Sequence, residues 1–272
     1  MKSTQGLWRQ NPNRPLLMGV INVTPDSFSD GGKNLDPKVA AKSGQQMINE
    51  GADIIDIGGE STRPGHIPLD SATEKSRVIP VIKELKKEKT ALISIDSYKA
   101  STAREALKAG ADIINDVWGF QRDPHMAHVA AETGAPSILM HNRDSDDDRI
   151  DILSDVLRFL EKSLKIARLA GVDDDQIMLD PGFGFGKNAQ QNLHILKNLK
   201  VISSLGFPVL IGLSRKRFIG FYSGQSETTA RLPGTLTANL LAILSGNTAC
   251  IRVHNVREHR EMLDFYESFT RD

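Results

Sequence analysis

Cysteine is almost absent from this chain of 272 residues, since Cys250 is the only one that it contains. A lone cysteine cannot form an intrachain disulfide, which excludes a disulfide-stapled scaffold. A core of this size does not need staples, because a chain of this length buries roughly three quarters of its unfolded surface. The low cysteine content is typical of a reducing compartment, and we expect a cytoplasmic protein.

Net charge and long apolar runs are missing as well. Lys and Arg total 34, and so do Asp and Glu, which gives a formal net charge of +0. Proteins that bind nucleic acid usually carry a basic face, so we expect no nucleic-acid partner. No stretch approaches the roughly 18 apolar residues of a membrane-spanning helix. The first residues, MKSTQGLWRQNPNRP, lack the apolar core of a signal peptide, and we expect no membrane partner.

Short apolar runs rich in β-branched residues alternate with segments of helical spacing, such as 39–48 and 151–169. The predicted strands lie near 16–22, 52–58, 91–96, 112–118, 136–141, 177–180, 208–213 and 249–254. Gly51 and Gly110 each follow a predicted helix, where glycine commonly ends the helical backbone. Eight such units without a flexible linker predict an α/β (β/α)8 TIM barrel, a single domain over 1–272 with 1–15 as an N-terminal extension. A doubly wound open sheet is the alternative.

Polar residues stand where nearly every predicted strand stops. They are Asn22, Ser61-Thr62-Arg63, Asp96, Asn115, Asp180, Ser214-Arg215-Lys216, and Arg252 with His254. Alternate residues of a strand share a face, so Arg252 and His254 point the same way. Loops at the C-terminal ends of barrel strands carry the chemistry of this fold. The sequence therefore predicts one site built from many strand ends.

Cations and an amide oxygen predict anion and metal binding at these strand ends. Adjacent glycines at 58–59 let the backbone approach a ligand, while Thr62 and Arg63 offer a hydroxyl and a forked anion donor. Opposite Arg252 and His254, they favour an anion pocket over a tight loop with a solvated arginine. The amide oxygen of Asn22 suits Mg²⁺.

Asp96 and Asp180 each end a strand inside the predicted mouth, where an ionised carboxylate needs partners. One reading pairs them with Lys216 or Arg215 in structural salt bridges. The other reading has them accept N–H donors of a heteroaromatic ligand, with Asn115 and Lys216 completing the set. Charged hydrogen bonds of that kind contribute about 1.5–3 kcal/mol each.

Three alternating glycines in DPGFGFGK (180–187) suggest a phosphate loop, but the spacing does not fit a Walker motif and no Ser or Thr follows Lys187. We expect instead a hairpin-like loop that presents Phe185 to a flat substrate. The apolar Phe28 stands in a turn-rich polar loop, where a functional and a structural role are equally open.

Other polar residues have simpler readings. The acidic run at 144–149 lacks the glycine and distal glutamate of a calcium loop, which predicts a solvated loop. His125, His128 and His194 are expected on the surface. His141 closes the fifth predicted strand, and a structural role and a site role are equally open there.

Eight segments, in order, resemble those of dihydropteroate synthases across all eight predicted strands. They are MGVINVTPDSFSDGG (18–32), DIIDIGGESTRPG (53–65), SIDSYKA (94–100), INDVWG (114–119), LMH (139–141), LDPGFGFGK (179–187), GLSRKRFIG (212–220) and RVHNV (252–256). The resemblance implies a barrel, a homodimer that is a target of sulfonamides, and a place in folate biosynthesis. The implied reaction joins 6-hydroxymethyl-7,8-dihydropterin diphosphate to p-aminobenzoate, giving 7,8-dihydropteroate and pyrophosphate.

The resemblance also implies roles for individual residues. The pterin would be held by Asp96, Asn115, Asp180 and Lys216. The diphosphate would be held by Thr62, Arg63, Arg252, His254 and, with Mg²⁺, Asn22. The aminobenzoate would be surrounded by Phe28, Thr62, Pro64, Phe185, Lys216 and Arg217. Met140, in the LMH segment, joins the substrate-binding set.

Loss of pyrophosphate from a pterin methylene leaves a cation that is delocalised over the ring, and the neutral aminobenzoate nitrogen can attack it without a strong base. The absence of a recognisable general-base pair in the sequence therefore favours an SN1-like displacement. Two other readings use the same barrel. One is a pterin-dependent methyltransferase, and the other is a catalytically silent pterin-binding paralogue.

Overall fold

Eight parallel strands close into a barrel in chain order, with the last strand pairing with the first. The computed structural model describes residues 7–9, 14–24, 36–61, 68–87, 91–246 and 248–271. The strands are β1 (Leu16–Asn22), β2 (Ile54–Gly58), β3 (Leu92–Asp96), β4 (Ile113–Asp116), β5 (Ser137–Met140), β6 (Ile177–Asp180), β7 (Val209–Ile211) and β8 (Thr248–Val253). The predicted TIM barrel is confirmed, and the open-sheet alternative is wrong.

Helices follow the strands along the described chain. They are α1 (Pro37–Asn49), α2 (Ser71–Lys86), α3 (Ala100–Ala109), α4 (Met126–Thr133), α5 (Ile152–Ala170), α6 (Ala189–Lys197), α7 (Leu199–Ser203), α8 (Arg217–Ser223), α9 (Leu232–Leu244) and α10 (Val256–Thr270). The helices predicted in 39–48 and 151–169 are α1 and α5. Asp36 and Asp151 cap them by accepting hydrogen bonds from backbone N–H groups of the first turn. Gly110 ends α3 in the left-handed conformation, as predicted.

Two strands, β4 and β7, end two residues before the predicted apolar run does, because turns begin inside that run. β4 ends at Asp116, whose carboxylate accepts hydrogen bonds from Trp118 N (2.8 Å) and Phe120 N (2.9 Å). β7 ends at Ile211, and a turn follows in which Lys216 N donates to Leu213 O at 3.2 Å. Both turns lie at the C-terminal end of the barrel, and the second one carries Lys216 of the predicted site.

The barrel interior is packed with apolar side chains at its N-terminal end. They are Met18, Ile54, Ile113, Ile138, Met178, Leu210 and Cys250. Leu7 and Trp8 close the layer from below, and Trp8 Nε1 donates to Gln176 O at 3.0 Å, just before β6. A second, larger core lies between the strands and the helices. Because the lower half of the barrel is filled, a ligand can enter only from the C-terminal end.

The apolar segment at 235–245 lies in α9, one side of which is buried. Thr235, Ala238, Asn239, Ala242 and Ile243 are buried, whereas Leu241 and Leu244 remain 56% and 59% exposed. The segment therefore packs on its own barrel and also leaves an apolar side uncovered. Among the helices that the structure describes, none has the length and apolar character needed to cross a membrane.

Candidate active site at the barrel mouth

A pocket opens at the C-terminal end of the barrel and contains about 360 Å³ of empty space, including its opening to solvent. Seven residues predicted for the site line it, namely Asp96, Asn115, Met140, Asp180, Phe185, Lys216 and Arg252. Strand register explains this convergence, since Asp96 lies beside Asn115 and Met140 beside Asp180 on neighbouring strands. The side chains of such partners point to the same face, here the interior.

Val117, Phe183 and Gly212 also line the pocket, although sequence reasoning did not single them out. A Cβ atom added to Gly212 would lie 4.0 Å from Asp180 Oδ2 and meet nothing nearer. The missing side chain therefore leaves space for a ligand. Nothing in the local sequence distinguishes this glycine from one required by a turn.

Arg252 joins two carboxylates inside the barrel. Its Nε donates to Asp56 Oδ2 and its Nη2 to Asp96 Oδ2, both at 2.7 Å. Asn115 Nδ2 donates to the same Asp56 oxygen at 3.0 Å. Asp96 therefore does have an ion-pair partner, but that partner is Arg252 and neither Lys216 nor Arg215, the two residues named in the salt-bridge alternative.

Asp56, beneath the pocket, was also missed by sequence reasoning. It is fully buried in the middle of β2, where it orients both Arg252 and Asn115. A signal was available, because Asp56 is a charged residue within an apolar strand and shares a face with Gly58 at the strand end. Within the described part of the chain, its Oδ1 has no hydrogen-bond partner, and neither has Ser94 Oγ on the neighbouring strand, although both atoms are buried.

Burial changes the proton affinity of the carboxylates in the pocket. It raises the pKa of Asp96 to about 7, against the favourable charge of Arg252 and with a further upward contribution from Asp56. It raises the pKa of Asp180 to about 6, partly offset by the hydrogen bond from Gly182 N at 2.7 Å. Both groups therefore change charge near neutral pH, as perturbed groups in functional clefts often do.

The cations of the pocket respond in opposite directions. Burial lowers the pKa of Lys216 to about 8, with Arg252 adding to the effect and Asp180 opposing it. Arg252 stays protonated, because Asp56 and Asp96 outweigh burial and raise its pKa. Arg252 Nη1 has no partner among the described residues, so one donor group remains for a ligand.

The glycine-rich loop after β6 presents Phe185, as its spacing predicts. Lys187 is buried and donates to Gly182 O (2.7 Å) and Phe185 O (3.0 Å), while Asn192 Oδ1 accepts from Gly184 N at 2.7 Å. Lys187 thus holds the loop from inside and is not available to cradle a phosphate. The pocket also brings Lys216 Nζ to 4.3 Å from the centre of the Phe185 ring. Cation and ring form one wall.

Three predicted site residues are described but do not line this pocket. Asn22 ends β1 at the rim, where its amide oxygen and Asp96 Oδ2 both face the space above Gly58. His254 follows β8, with its Nδ1 at 2.9 Å from Ser214 Oγ. Arg217 is the exposed first residue of α8. The predictions for Phe28, Thr62, Arg63 and Pro64 fall outside the described residues.

His141 packs against α5 and has a structural role. It is fully buried, its Nε2 lies 3.2 Å from Asp155 Oδ2 of α5, and its ring meets Phe159 edge-on at 4.9 Å. Burial lowers its pKa to about 2, so the ring is neutral. Its position directly after Met140 turns it away from the pocket.

The predictions of solvent exposure for three histidines and for the acidic run agree with the structure. His125, His128 and His194 are exposed, as predicted. The acidic run at 144–149 forms a largely exposed turn without regular secondary structure, in which Arg149 pairs with Asp147 at 2.9 Å. No group of three or more His, Cys, Asp or Glu side chains suited to a metal ion occurs in the described part of the chain.

Comparison with known proteins connects this geometry to a family. A family described as pterin binding enzyme matches residues 18–254. A dihydropteroate synthase from Bacillus subtilis is 50% identical over 249 residues, which cover 92% of this chain and 86% of the relative. The chain belongs to the dihydropteroate synthase family of pterin-binding enzymes. It is thus a transferase of folate biosynthesis, and the methyltransferase and silent-paralogue alternatives are not favoured.

Solved structures agree over nearly the whole length. The crystal structure of a dihydropteroate synthase from Clostridium difficile, determined in the presence of pteroic acid, matches with a TM-score of 0.91 at 43% identity, covering 97% of this chain and 99% of that chain. The enzyme from Xanthomonas albilineans with 4-aminobenzoic acid gives a TM-score of 0.91 at 40% identity, covering 95% and 94% of the two chains. The sequence resemblance is confirmed.

Proposed function

We propose that the barrel mouth of this chain joins a dihydropterin diphosphate to p-aminobenzoate, with the pterin ring in the pocket and its diphosphate at the rim. The observation that carries this assignment is the pairing, in one pocket, of two buried carboxylates with an amide and a lysine. A flat heterocycle with N–H and ring-nitrogen groups along its edge needs such a mixture of acceptors and donors.

Asp180 and Asp96 serve as the acceptors in this proposal. A carboxylate has about four lone-pair positions, so Asp96 can bind Arg252 with one oxygen and accept from the ring with the other. Asn115 is held in place by Asp56 and offers its carbonyl oxygen to the ligand. Phe183, Met140 and Val117 supply the apolar surface on which a ring can lie.

Departure of the diphosphate requires cations above the pocket. We assign this role to Arg252 through its Nη1, to His254, and to Thr62 and Arg63, which follow β2 in the sequence and lie outside the described residues. Asp96 and Asp180 then stabilise the pterinylmethyl cation that the departing anion leaves behind. Stabilising the anion and the cation together lowers the barrier to bond cleavage, which supports an SN1-like path.

The donor set fits a Mg²⁺ ion only when the substrate supplies most of its ligands. Asn22 offers one amide oxygen at the rim, and the described residues include no carboxylate cluster around it. Mg²⁺ is commonly bound by one or two protein oxygens together with substrate phosphates. When bound, it would neutralise charge on the leaving diphosphate.

The aminobenzoate binds, in this proposal, against the wall formed by Phe185 and Lys216, with Phe28, Pro64 and Arg217 around it. The ring stacks on Phe185, and the carboxylate lies near the cations. Its neutral amine attacks the pterin methylene and needs no strong base. Sulfonamides resemble this substrate, and we expect them to compete for the same place.

A homodimer is proposed through an apolar surface on α9 and α10, which contact each other. Leu241 and Leu244 of α9 and Phe265 and Phe269 of α10 are between 56% and 78% exposed. Such residues are costly to leave in water as a group, and a second copy would cover them. Sedimentation of the wild type and of Phe269→Asp tests this, since a monomeric wild type would contradict the proposal.

The reaction is tested by following pyrophosphate release from the purified protein with Mg²⁺ and the pterin diphosphate, with and without p-aminobenzoate. We expect dihydropteroate to form in step with pyrophosphate when both substrates are present. Slow C–O cleavage without aminobenzoate supports the SN1-like path. Cleavage that strictly requires the amine would replace it with a one-step displacement, and no release under either condition would refute the function.

A further inference from the structure

Arg215 has an unusual backbone for its type. Its φ is 59°, in the left-handed region, and Phe120 is the only other described non-glycine residue with positive φ. It stands between Ser214, which contacts His254, and Lys216, which lines the pocket. A change in this one residue's backbone would therefore redirect two groups of the site.

The backbone of Arg215 is held on both sides of its Cα. Its N–H donates to Thr235 Oγ1 of α9 at 3.2 Å, and its carbonyl accepts from Arg231 Nη1 at 3.0 Å. Thr235 in turn donates its hydroxyl to Arg231 O at 2.8 Å. Hydrogen bonds from the start of α9 thus fix the backbone of the turn at Arg215.

The Arg215 side chain ties this turn to the loop after β8. Its Nε and Nη2 donate to Asn255 Oδ1 at 3.1 and 2.7 Å. Asn255 is fixed by a further contact, because its carbonyl accepts a hydrogen bond from His259 Nδ1 at 2.6 Å. The buried His259 can donate there as a neutral ring, since burial lowers its pKa and Asn239 Nδ2 lies 2.9 Å from its Nε2.

We propose that Arg215 is a positioning residue for the transfer reaction, which aims Lys216 into the pocket and fixes the spacing between the turn after β7 and the loop carrying His254. It acts through Asn255 and touches no substrate. A glycine would adopt the same φ with less strain, so what arginine adds is the tether. Two hydrogen-bonded contacts, Ser214 to His254 and Arg215 to Asn255, then connect the turn after β7 with the loop after β8. They fix the position of Lys216, on the pterin side of the site, relative to His254, on the diphosphate side.

The proposal rests on the proposed function, so wild-type turnover is measured first. Arg215→Gly keeps the left-handed turn but removes the tether. We expect it to fold with a thermal midpoint near that of the wild type and to lose about 10- to 100-fold in kcat, with a smaller change in KM, because misplaced groups slow the chemistry more than they weaken binding.

Two further variants separate positioning from general stability. Asn255→Ala removes the other end of the tether, and the double variant Arg215→Gly with Asn255→Ala should be no worse than either single one. Arg215→Lys loses the forked contact, and adding Asn255→Asp should restore part of kcat through an ion pair. Arg149→Lys, in the exposed loop, is the matched control and should behave as the wild type.

The outcomes are distinct. A wild type without turnover would refute the proposed function and leave the Arg215 turn as a structural feature only. An active wild type with unchanged kcat in Arg215→Gly would overturn the positioning role. So would variants whose effects add, or whose kcat loss is fully accounted for by a lower fraction of folded protein.

Discussion

The lower and upper halves of the barrel interior are built by the same strands and yet have opposite character. Ile54 and Asp56 are two residues apart on β2, as are Ile113 and Asn115 on β4, and Cys250 and Arg252 on β8. The lower members pack against each other and need no partners. Of the upper members, Asp56 and Asn115 are as inaccessible to water as the lower ones, whereas the Arg252 side chain is 22% exposed. All three depend on a network of ion pairs and hydrogen bonds.

On each of these strands, the inward-facing residue that stabilises the fold and the one that contributes to the site are therefore only two positions apart. Burying an apolar side chain contributes about 1.5–3 kcal/mol, whereas burying an ionised group costs free energy unless it is paired. The lower layer therefore stabilises the barrel, and the upper layer binds at some cost to stability. Substitutions in the two layers should consequently have different effects.

The largest effect is expected in the lower layer. Ile54→Ala should lower the free energy of unfolding by about 2–5 kcal/mol, because it leaves a cavity in a fully packed interior. The kcat per folded molecule should stay unchanged. Denaturant unfolding and active-site titration measure the two quantities, with Leu169→Ala, at a side chain that is 78% exposed, as a control of little effect.

The second-largest effect is expected in the upper layer, on substrate binding. Asp180→Asn should weaken pterin diphosphate binding by about 1.5–3 kcal/mol, roughly 10- to 150-fold, because a charged acceptor is lost. The free energy of unfolding of Asp180→Asn should equal or exceed that of the wild type, since a buried carboxylate is replaced by a neutral amide. Calorimetry should give a similar result for Asp96→Asn, with Asp147→Asn in the exposed loop as the matched control. Unchanged binding would remove the residue from the site.

Changing the pH should move binding and stability in opposite directions. The pKa of Asp180 is raised from 3.8 to about 6, so the stability it contributes is present below 3.8 and lost as pH rises through 6. Substrate binding needs the carboxylate and should instead strengthen over that range. As the pH is lowered through about 6–7, log kcat/KM should therefore decrease, while the thermal midpoint of the ligand-free protein should increase.

Asp116 contributes to the same stability slope, since burial raises its pKa to about 7 outside the pocket. The comparison must therefore be made between wild type and Asp180→Asn, which isolates the contribution of Asp180. A variant whose thermal midpoint keeps the full wild-type pH dependence would contradict the assignment. On the alkaline side, Lys216 should lose its charge above about pH 8, and aminobenzoate binding should weaken there.

The smallest effect is expected at Gly212. A Cβ there makes only an ordinary contact with Asp180, at 4.0 Å, so Gly212→Ala should fold as the wild type. It should raise KM for the pterin substrate by roughly tenfold, at the lower end of the 1–3 kcal/mol that one carbon commonly contributes in a pocket. An unchanged KM would show that the ring does not reach this wall.

Much of the fold and part of the site could be predicted from the sequence. The alternation of eight apolar runs with helical segments predicts parallel strands joined by crossover helices, because parallel strands need such crossovers and buried faces. The sequence favoured a closed barrel over an open sheet, and the pairing of β1 with β8 decided it. Strand parity then places Asp96, Asn115, Asp180 and Arg252 at the mouth. Parity applies equally to Asp56, but an acidic residue inside an apolar run gives no sign of which distant group it will meet.

What the sequence alone determined is which side chains face inward and at which end of the barrel they stand, since both follow from the two-residue period of a strand. Only the tertiary structure decided their partners. Arg252 lies 196 residues from Asp56 and 156 from Asp96, and Arg215 lies 40 from Asn255. Such pairs depend on how the closed barrel brings its strands together, and hydrogen bonding requires distances of about 3 Å that no local pattern encodes.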